Sequence, residues 1–326
     1  MKVDKDNICV LITTYGDRFE FLANVISLLM EQELQHFLIV SNDTLHLSEK
    51  LKDHFPNLTL RLINSPTNKG SAYIIKTGLD YIRNSDFRFI WILDDDNKPS
   101  KTCLEHLIST WNDGFKKNQN KQMVASFRSQ MFYKYKYLVF TPEGHLTLLP
   151  YPRSFLGFHW KIPFLILTKK FRLIKPSYLE NETQVVKCNA AVYGGLFFSV
   201  DTLKYIKEPD TRYFLYYDDI DFTSRIIKSG GEILLATQAK IEDIDDSSTA
   251  QKISLYNHPL FNIKSSFKAY HLVRSFMIYS DKLGFSHTMS YRFNGVAFLF
   301  ILFVVSIVRL QMPRFLLILK TVIKGV

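Results

Sequence analysis

Between residues 8 and 93 the chain switches repeatedly between two hydrophobic periods, and few architectures accept that pattern. Ile8–Thr13 is a short apolar run rich in β-branched residues, and Phe19–Gln32 then sets Phe21, Leu22, Val25, Leu28 and Leu29 at helical spacing. Phe37–Val40, Leu58–Ile63 and Phe89–Leu93 return to the strand pattern, with a helical Gly70–Ile82 between the last two. Apolar runs without polar alternation are strands covered on both faces. Their alternation with helices predicts βαβ units around a parallel sheet. Further on, Ser100 is placed to cap a helix running to Trp111, with Gly114 to end it. Met131–Leu149, split by Thr141-Pro-Glu-Gly144, predicts a hairpin. Val192–Val200 predicts a strand and Asp219–Lys228 a helix.

Acids gather at two points. Trp91-Ile-Leu-Asp94-Asp95-Asp96 puts three carboxylates directly after a buried strand. The carboxyl ends of parallel strands face the ligand crevice of an open α/β sheet. Neighbouring carboxylates repel, so a cation is one reason to collect them, and hard oxygen ligands suit Mg²⁺ or Mn²⁺. A polar turn closing the strand is the simpler reading of the same residues. Extended geometry through the cluster would send Asp94 and Asp96 to one side. The second point is Tyr216-Tyr-Asp218-Asp219-Ile-Asp221-Phe222, opening a helix. The helix dipole favours acids there, and a carboxylate between aromatic walls can also serve as a general base. Asn68-Lys69-Gly70-Ser71 begins a helix where a phosphate can sit, although it also reads as an ordinary turn.

Charge separates the chain into a neutral body and a basic tail. Residues 251–326 hold ten Lys and Arg against one acid, Asp281, so that nine of the ten net positive charges lie there. Within the tail, Gly295–Val308 carries no charge but is shorter than a membrane span, and Phe315–Ile323 is a second apolar stretch interrupted by Lys320. Basic residues around apolar segments predict an interfacial or re-entrant element on an anionic membrane. A core helix of the same domain is the competing reading. Tyr133-Lys-Tyr-Lys-Tyr137 interleaves bases and aromatics, but with a neutral body a strand with one solvated face is preferred over nucleic-acid binding. Cys9, Cys103 and Cys188 are too far apart for a disulfide framework or zinc site. The histidines show no metal spacing, and the charged N-terminus leads straight into a strand without the pattern of a secretory signal.

Taken in order, these segments resemble glycosyltransferase family 2, over roughly residues 7–246. The matching pieces are Thr13-Thr14-Tyr15 after the first strand, Ile39-Val-Ser-Asn42-Asp43 after the second, and Asn68-Lys-Gly70. They continue with Asp94-Asp95-Asp96 at the place of the family's DxD, the Ala191–Val200 strand, and Asp218-Asp219-Ile-Asp221-Phe222. The last two acidic forms look most like bacterial galactofuranosyl- and rhamnosyltransferases of surface polysaccharides.

The resemblance implies a GT-A (Rossmann-like) α/β fold, with a mostly parallel sheet flanked by helices and a C-terminal helical, membrane-associated appendage. Residues 1–246 would form the catalytic domain, with a nucleotide-binding half to about 112 and an acceptor half from about 113. A helical extension would follow at 247–292 and a hydrophobic, basic membrane segment at 293–326. Thr13, Tyr15, Asn42, Lys69 and Asp95 would surround the nucleotide, and Asp94 and Asp96 would hold Mg²⁺ or Mn²⁺. Asp219 would be the catalytic base, with Asp218 and Asp221 on the acceptor side. Many members carry a late metal-ligating His; here Asp243 or Glu242 stands near that point. The QxxRW motif of processive synthases is absent, implying single-sugar addition.

The expected partners are a nucleotide-sugar donor, a saccharide or lipid-linked saccharide acceptor, and an anionic membrane at the cytoplasmic face of the inner membrane, with no nucleic acid. Two other functions compete. Nucleotidyl transfer also gathers acids at a strand end but usually needs a glycine-rich phosphate loop, and Thr13–Arg18 has only Gly16. A membrane-bound binding protein with a degenerate site is the non-enzymatic alternative.

Overall fold

Every residue of Ile8–Thr14 is buried, because their strand, β1 (Ile8–Tyr15), has neighbours on both sides and helices on its faces. The computed structural model describes residues 3–44, 46–114, 119–128, 152–161, 185–245, 259–263 and 265–325. After β1 come α1 (Phe19–Met30), β2 (Phe37–Asn42), α2 (Leu47–His54), β3 (Leu60–Ser65), α3 (Ser71–Arg83) and β4 (Phe89–Asp94). β1 pairs in parallel with β2 and β4, and β2 with β3. This is the βαβ half that the alternating periods predict, and it brings the carboxyl ends of four strands to one edge. The apolar positions of α1 that point inward, Leu22, Val25, Ile26 and Leu29, are fully buried.

The other half of the sheet is mixed. β5 (Asn97–Pro99), α4 (Cys103–Gly114), β6 (Gln122–Arg128), β7 (Val185–Cys188), β8 (Leu196–Ser199), α5 (Asp218–Lys228) and β9 (Glu232–Asp243) complete it. The strand order is β3-β2-β1-β4-β8-β6-β9-β5, with β7 also on β9. β8 runs antiparallel to both neighbours, while β6 and β9 are parallel. The seam at β8 is aromatic: Phe197 stacks on Phe89 at 5.5 Å between ring centroids, and Trp111 of α4 meets both edge-on at 5.9 and 5.4 Å. Removing Phe197 there would cost about 3–5 kcal/mol. α4 starts three residues after Ser100, whose amide donates to the Lys240 carbonyl at 2.9 Å and whose carbonyl receives the Cys103 amide. The predicted hairpin at 131–149 lies outside the described residues.

The chain divides into two compact units. One comprises Met1–Leu148, Pro176–Thr211 and Asp219–Ala250 and contains the sheet; the other comprises Leu149–Lys175, Arg212–Asp218 and Gln251–Val326. The second unit is helical, with α6 (Ser266–Lys282), α7 (Met289–Val308) and α8 (Met312–Lys324) around Phe276, Phe298, Leu302, Phe315 and Ile318. Ser265 and Thr288 cap α6 and α7, each accepting a backbone amide at 3.3 Å. Thr288 explains why α7 is longer than its uncharged stretch. Capped there, the helix takes in Met289–Asn294 and reaches twenty residues, or roughly 30 Å. Among the described residues α7 is the one helix long and apolar enough to cross a membrane.

Candidate active site

Parallel register decides which side chains meet at the strand ends. Thr13 lies opposite Asp94 across β1–β4, and Tyr15 opposite Asn42 across β1–β2. Thr13 Oγ1 donates to Asp94 Oδ1 at 3.0 Å, and Thr14 Oγ1 donates to Asp95 Oδ2 at 2.5 Å. The Asp95 amide donates to the Thr13 carbonyl at 3.0 Å. Two consecutive threonines therefore each hold one carboxylate. The strand stops at Asp94, and Asp95 and Asp96 form the turn into β5 instead of continuing extended. Asp94 and Asp96 remain partly open while Asp95 is buried, so the division expected from alternation is reached through a turn.

Two arginines and an asparagine organise the cluster. Arg18, just before α1, donates through Nε to both oxygens of Asp95 at 2.9 and 3.0 Å, and through its terminal nitrogens to Asp96 at 3.0 Å and Asp245 at 2.8 Å. Its guanidinium also lies 5.2 Å from the Tyr15 ring centroid and 4.7 Å from that of Phe21. Asn97 accepts the Asp94 amide at 2.9 Å and donates to Asp96 at 3.2 Å and Asp243 at 3.0 Å. Arg128 forms an ion pair with Asp243. That pair depends on a jump in register: Ser126 lies opposite Ala236, but Phe127 lies opposite Lys240. Such irregularities re-aim side chains beside functional sites. Gly194 closes the cluster. A Cβ there would meet Asn97 and lie 2.7 Å from Arg128 and 2.9 Å from Asp94, so a larger residue would push these side chains out of the cluster.

Burial makes these carboxylates hold their protons. It raises Asp94 against the charge of Arg128 and the Thr13 hydrogen bond. It lifts Asp95 to about 7 against the Thr14 hydrogen bond and Arg18. Asp96 rises to about 6 through burial, then through the charges of Asp94 and Asp243. Asp219, in the first turn of α5, also rises to about 6. Burial is the largest cause there and outweighs the opposing Ile220 amide; the charge of Asp94 adds a smaller upward push, against Arg128. Asp219 therefore shares the electrostatic environment of the strand-end cluster. Its Oδ1 accepts the Ile220 amide at 2.7 Å.

The other expected residues are placed as follows. Asn42 uses its amide on the turn before α3, donating to the Gly70 carbonyl and accepting the Lys69 amide, both at 3.2 Å. Gly70 has φ 89°, which is why that turn needs glycine. Lys69 is exposed, with its ammonium 4.5 Å from the Tyr73 ring centroid. Tyr15 presents a ring about half exposed. Asp218 and Asp221 are buried, and Asp221 forms an ion pair with Arg225, which also donates to the carbonyls of Lys207 and Glu208. Strand alternation separates the two late acids: Asp243 faces Asn97 and Arg128, while Glu242 is exposed opposite Lys98. Among the described residues no group of three or more His, Cys, Asp or Glu forms a ready-made metal centre. A cavity of about 460 Å³ lined by Tyr81, Asn84, Ser85, Asp86 and Phe87 lies at the other end of β4 and holds none of these carboxylates.

Arg18, Arg128 and Asn97 are the members that the motifs did not indicate, while Gly194 lies in the Ala191–Val200 strand of the resemblance. Asn97 follows the three aspartates directly, which is the one local signal available. Arg18 and Arg128 become site residues only through strand order.

Comparison with known proteins bears on the fold and the family. No curated protein matches the chain by sequence. Among solved structures, "GalNAc-T7 with UDP, GalNAc and Mn2+" superposes with a TM-score of 0.52 at 13% identity, covering 78% of this chain and 47% of that one. The chain thus spans about half the length of that neighbour, and the likeness is one of fold. HddC from Yersinia pseudotuberculosis complexed with GMP-PN shares 14% identity over 42% of this chain and 66% of its own, at a TM-score of 0.32, too low for a common fold to be read from it. The description of Glycosyl transferase family 2 matches residues 9–182, more than half of the chain. With the strand-end aspartates and the GT-A architecture in place, the chain belongs to glycosyl transferase family 2.

Proposed function

We propose that the protein transfers a single sugar from a nucleotide-sugar donor to a saccharide acceptor by inverting displacement, in the synthesis of a surface polysaccharide. The observation that carries this reading is the strand-end cluster of Asp94, Asp95 and Asp96, held by Thr13, Thr14 and Arg18 in a chain of this family. Asp219, in the first turn of α5, supplies the candidate base. Asp219, with a proton affinity near neutral, removes the acceptor hydroxyl proton as the oxygen attacks the anomeric carbon. The nucleoside diphosphate departs from the opposite face. Tyr15 offers an exposed ring for the base, and Lys69 a cation at the helix start. Asp95, locked by Thr14 and Arg18, fixes the turn that presents Asp94 and Asp96. Asp218 and Asp221 support the helix carrying the base.

The donor chemistry fits a divalent cation. Asp94 and Asp96 supply hard oxygens, and Mg²⁺ is commonly held by one or two carboxylates together with substrate phosphates. Both Asp96 oxygens already receive hydrogen bonds, from Arg18 and Asn97, and Asp243 is taken by Arg128 and Asn97. Asp94 and Asp96 are the ligands expected, a cation competing with Arg18 and Asn97 for Asp96, with Asp243 orienting Asn97. Mg²⁺ or Mn²⁺ bound there would offset the charge that develops on the leaving diphosphate. The 47%-covered neighbour solved with UDP, GalNAc and Mn²⁺ lends this support.

The apolar α7 and the basic tail support attachment to an anionic membrane, at the cytoplasmic face of the inner membrane, and hence an acceptor carried on lipid. The decisive experiment is Asp219→Asn. Turnover should fall on the order of 10²–10⁴-fold while titration calorimetry shows unchanged nucleotide binding. Parental turnover in the purified variant would remove Asp219 from the mechanism.

A further inference from the structure

α7 meets two different environments along its whole length. Met289, Phe293, Val296, Phe300, Val304 and Ile307 form one stripe at helical spacing, each 45–78% exposed. The opposite flank is buried in the second unit and includes Asn294, Phe298, Leu302 and Ser306. Asn294 fixes that flank: its Nδ2 donates to the Arg153 carbonyl at 2.9 Å and its Oδ1 accepts the Trp160 amide at 3.2 Å. A soluble helix shows polar side chains where this one shows carbon. The apolar surface continues through Leu310 in the turn to Leu316 and Ile323 on α8.

Length and charge decide how such a helix meets a bilayer. To span, α7 would have to carry its packing partners across with it. α8 has thirteen residues, about 20 Å, short of the roughly 30 Å hydrocarbon core. α6 carries Lys268, Arg274, Asp281 and Lys282. Neither can follow. A helix lying flat needs only its outer stripe in the acyl region and cations at head-group level. Arg292 is exposed next to the stripe, and Lys320 and Lys324 are exposed beside Leu316 and Ile323. Arg309 and Arg314 are instead used inside the unit, on Asn262 and on the carbonyls of Ile263 and Ser265.

We propose that α7 lies in the plane of an anionic bilayer surface, inserting the stripe from Met289 to Ile307 while Arg292, Lys320 and Lys324 engage lipid head groups. This rests on the membrane attachment proposed above and specifies its geometry.

The test uses the full chain with nitroxide labels on Phe293→Cys, Phe300→Cys and Ile307→Cys. The native cysteines are all buried and will not compete for label. Vesicles are phosphatidylcholine alone or with a quarter phosphatidylglycerol, and depth is read from oxygen against nickel-complex accessibility. In-plane binding predicts three equal depths, about 5–10 Å below the head groups, on anionic vesicles only. A profile deepest at 300 and shallow at 293 and 307 would overturn the in-plane geometry while preserving attachment. Labels that stay fully water-accessible would overturn attachment itself. Labels immobilised without vesicles, with a dimer by light scattering, would assign the stripe to a second copy and also overturn the proposal. Phe300→Glu with Val304→Glu should weaken vesicle partition by at least roughly ten-fold, and unchanged partition would likewise refute it.

Discussion

The strand-end edge of the first unit and the outer helix of the second break the same folding rule in opposite directions. One buries carboxylates; the other exposes carbon. At the edge, Asp94, Asp95 and Asp96 are held by Thr13, Thr14, Arg18 and Asn97, and still take up protons more readily than ordinary carboxylates. On α7 a stripe of exposed Val, Phe and Ile lies opposite a flank that buries two polar residues, Asn294 and Ser306, beside Phe298 and Leu302. A sequence optimised only for stability would exchange the two sets. Sites that oppose folding in this way are where function is expected.

The contrast is tested most severely at Asp94. An amide keeps the acceptor for Thr13 but loses the charge. Because burial disfavours that charge, Asp94→Asn should raise the melting temperature while lowering sugar transfer by about 10²-fold or more. Loss of both stability and activity would mean that Asp94 serves structure. The counterpart in the second unit is Asn294→Leu, which leaves the Trp160 amide and the Arg153 carbonyl without this partner. It should cost about 2–4 kcal/mol, read by chemical denaturation. A neutral result would show that the buried flank of α7 is held by its apolar contacts alone.

Acid titration sets the next effect. Asp95, Asp96 and Asp219 have folded values near 7, 6 and 6, above the ordinary 3.8. A carboxylate with a raised value stabilises the fold below its unfolded value, and that contribution is lost as pH rises through the folded value. Stability should therefore fall between about pH 4 and 7, read as a falling melting temperature across that range. A divalent cation offsets the same repulsion, so Mn²⁺ should raise the melting temperature more at pH 7.5 than at pH 5.5. Equal shifts at both pH values would place Mn²⁺ binding away from these carboxylates.

The two regions also differ in how far the sequence exposes them. β1 to β4 were legible because strands buried on both faces leave unbroken apolar runs, and Asp94–Asp96 follow one directly. β6 and β9 were not, because their pairing is parallel and remote in sequence, and no local pattern states that Arg128 will lie by Asp243. α2 was missed for another reason: only Leu47 and Leu51 of its eight residues are buried, too few to set a period. On α7 the apolar composition was visible, but not its two flanks. Hydropathy counts Asn294 and Phe300 without saying which one the fold covers.

The smallest effect concerns Arg18, which the motifs passed over. Its guanidinium joins Asp95, Asp96 and Asp245 from a side chain only 12% exposed. Burial opposes its charge, but the hydrogen bond to Asp245 and the pairing with Asp95 outweigh that and keep it protonated. Arg18 thus provides a resident positive charge on one of the two carboxylates assigned to the divalent cation. Arg18→Gln removes that charge and leaves Asp96 with only its Asn97 hydrogen bond among those described above. If the arginine competes for Asp96, the variant should bind Mn²⁺ roughly ten-fold tighter, measured as loss of the free-ion resonance without nucleotide. The parental protein should approach that affinity once a nucleoside diphosphate supplies oxygens of its own. If Arg18→Gln binds Mn²⁺ no better, Asp96 is not a ligand, and the cation must be held by Asp94 and the donor alone.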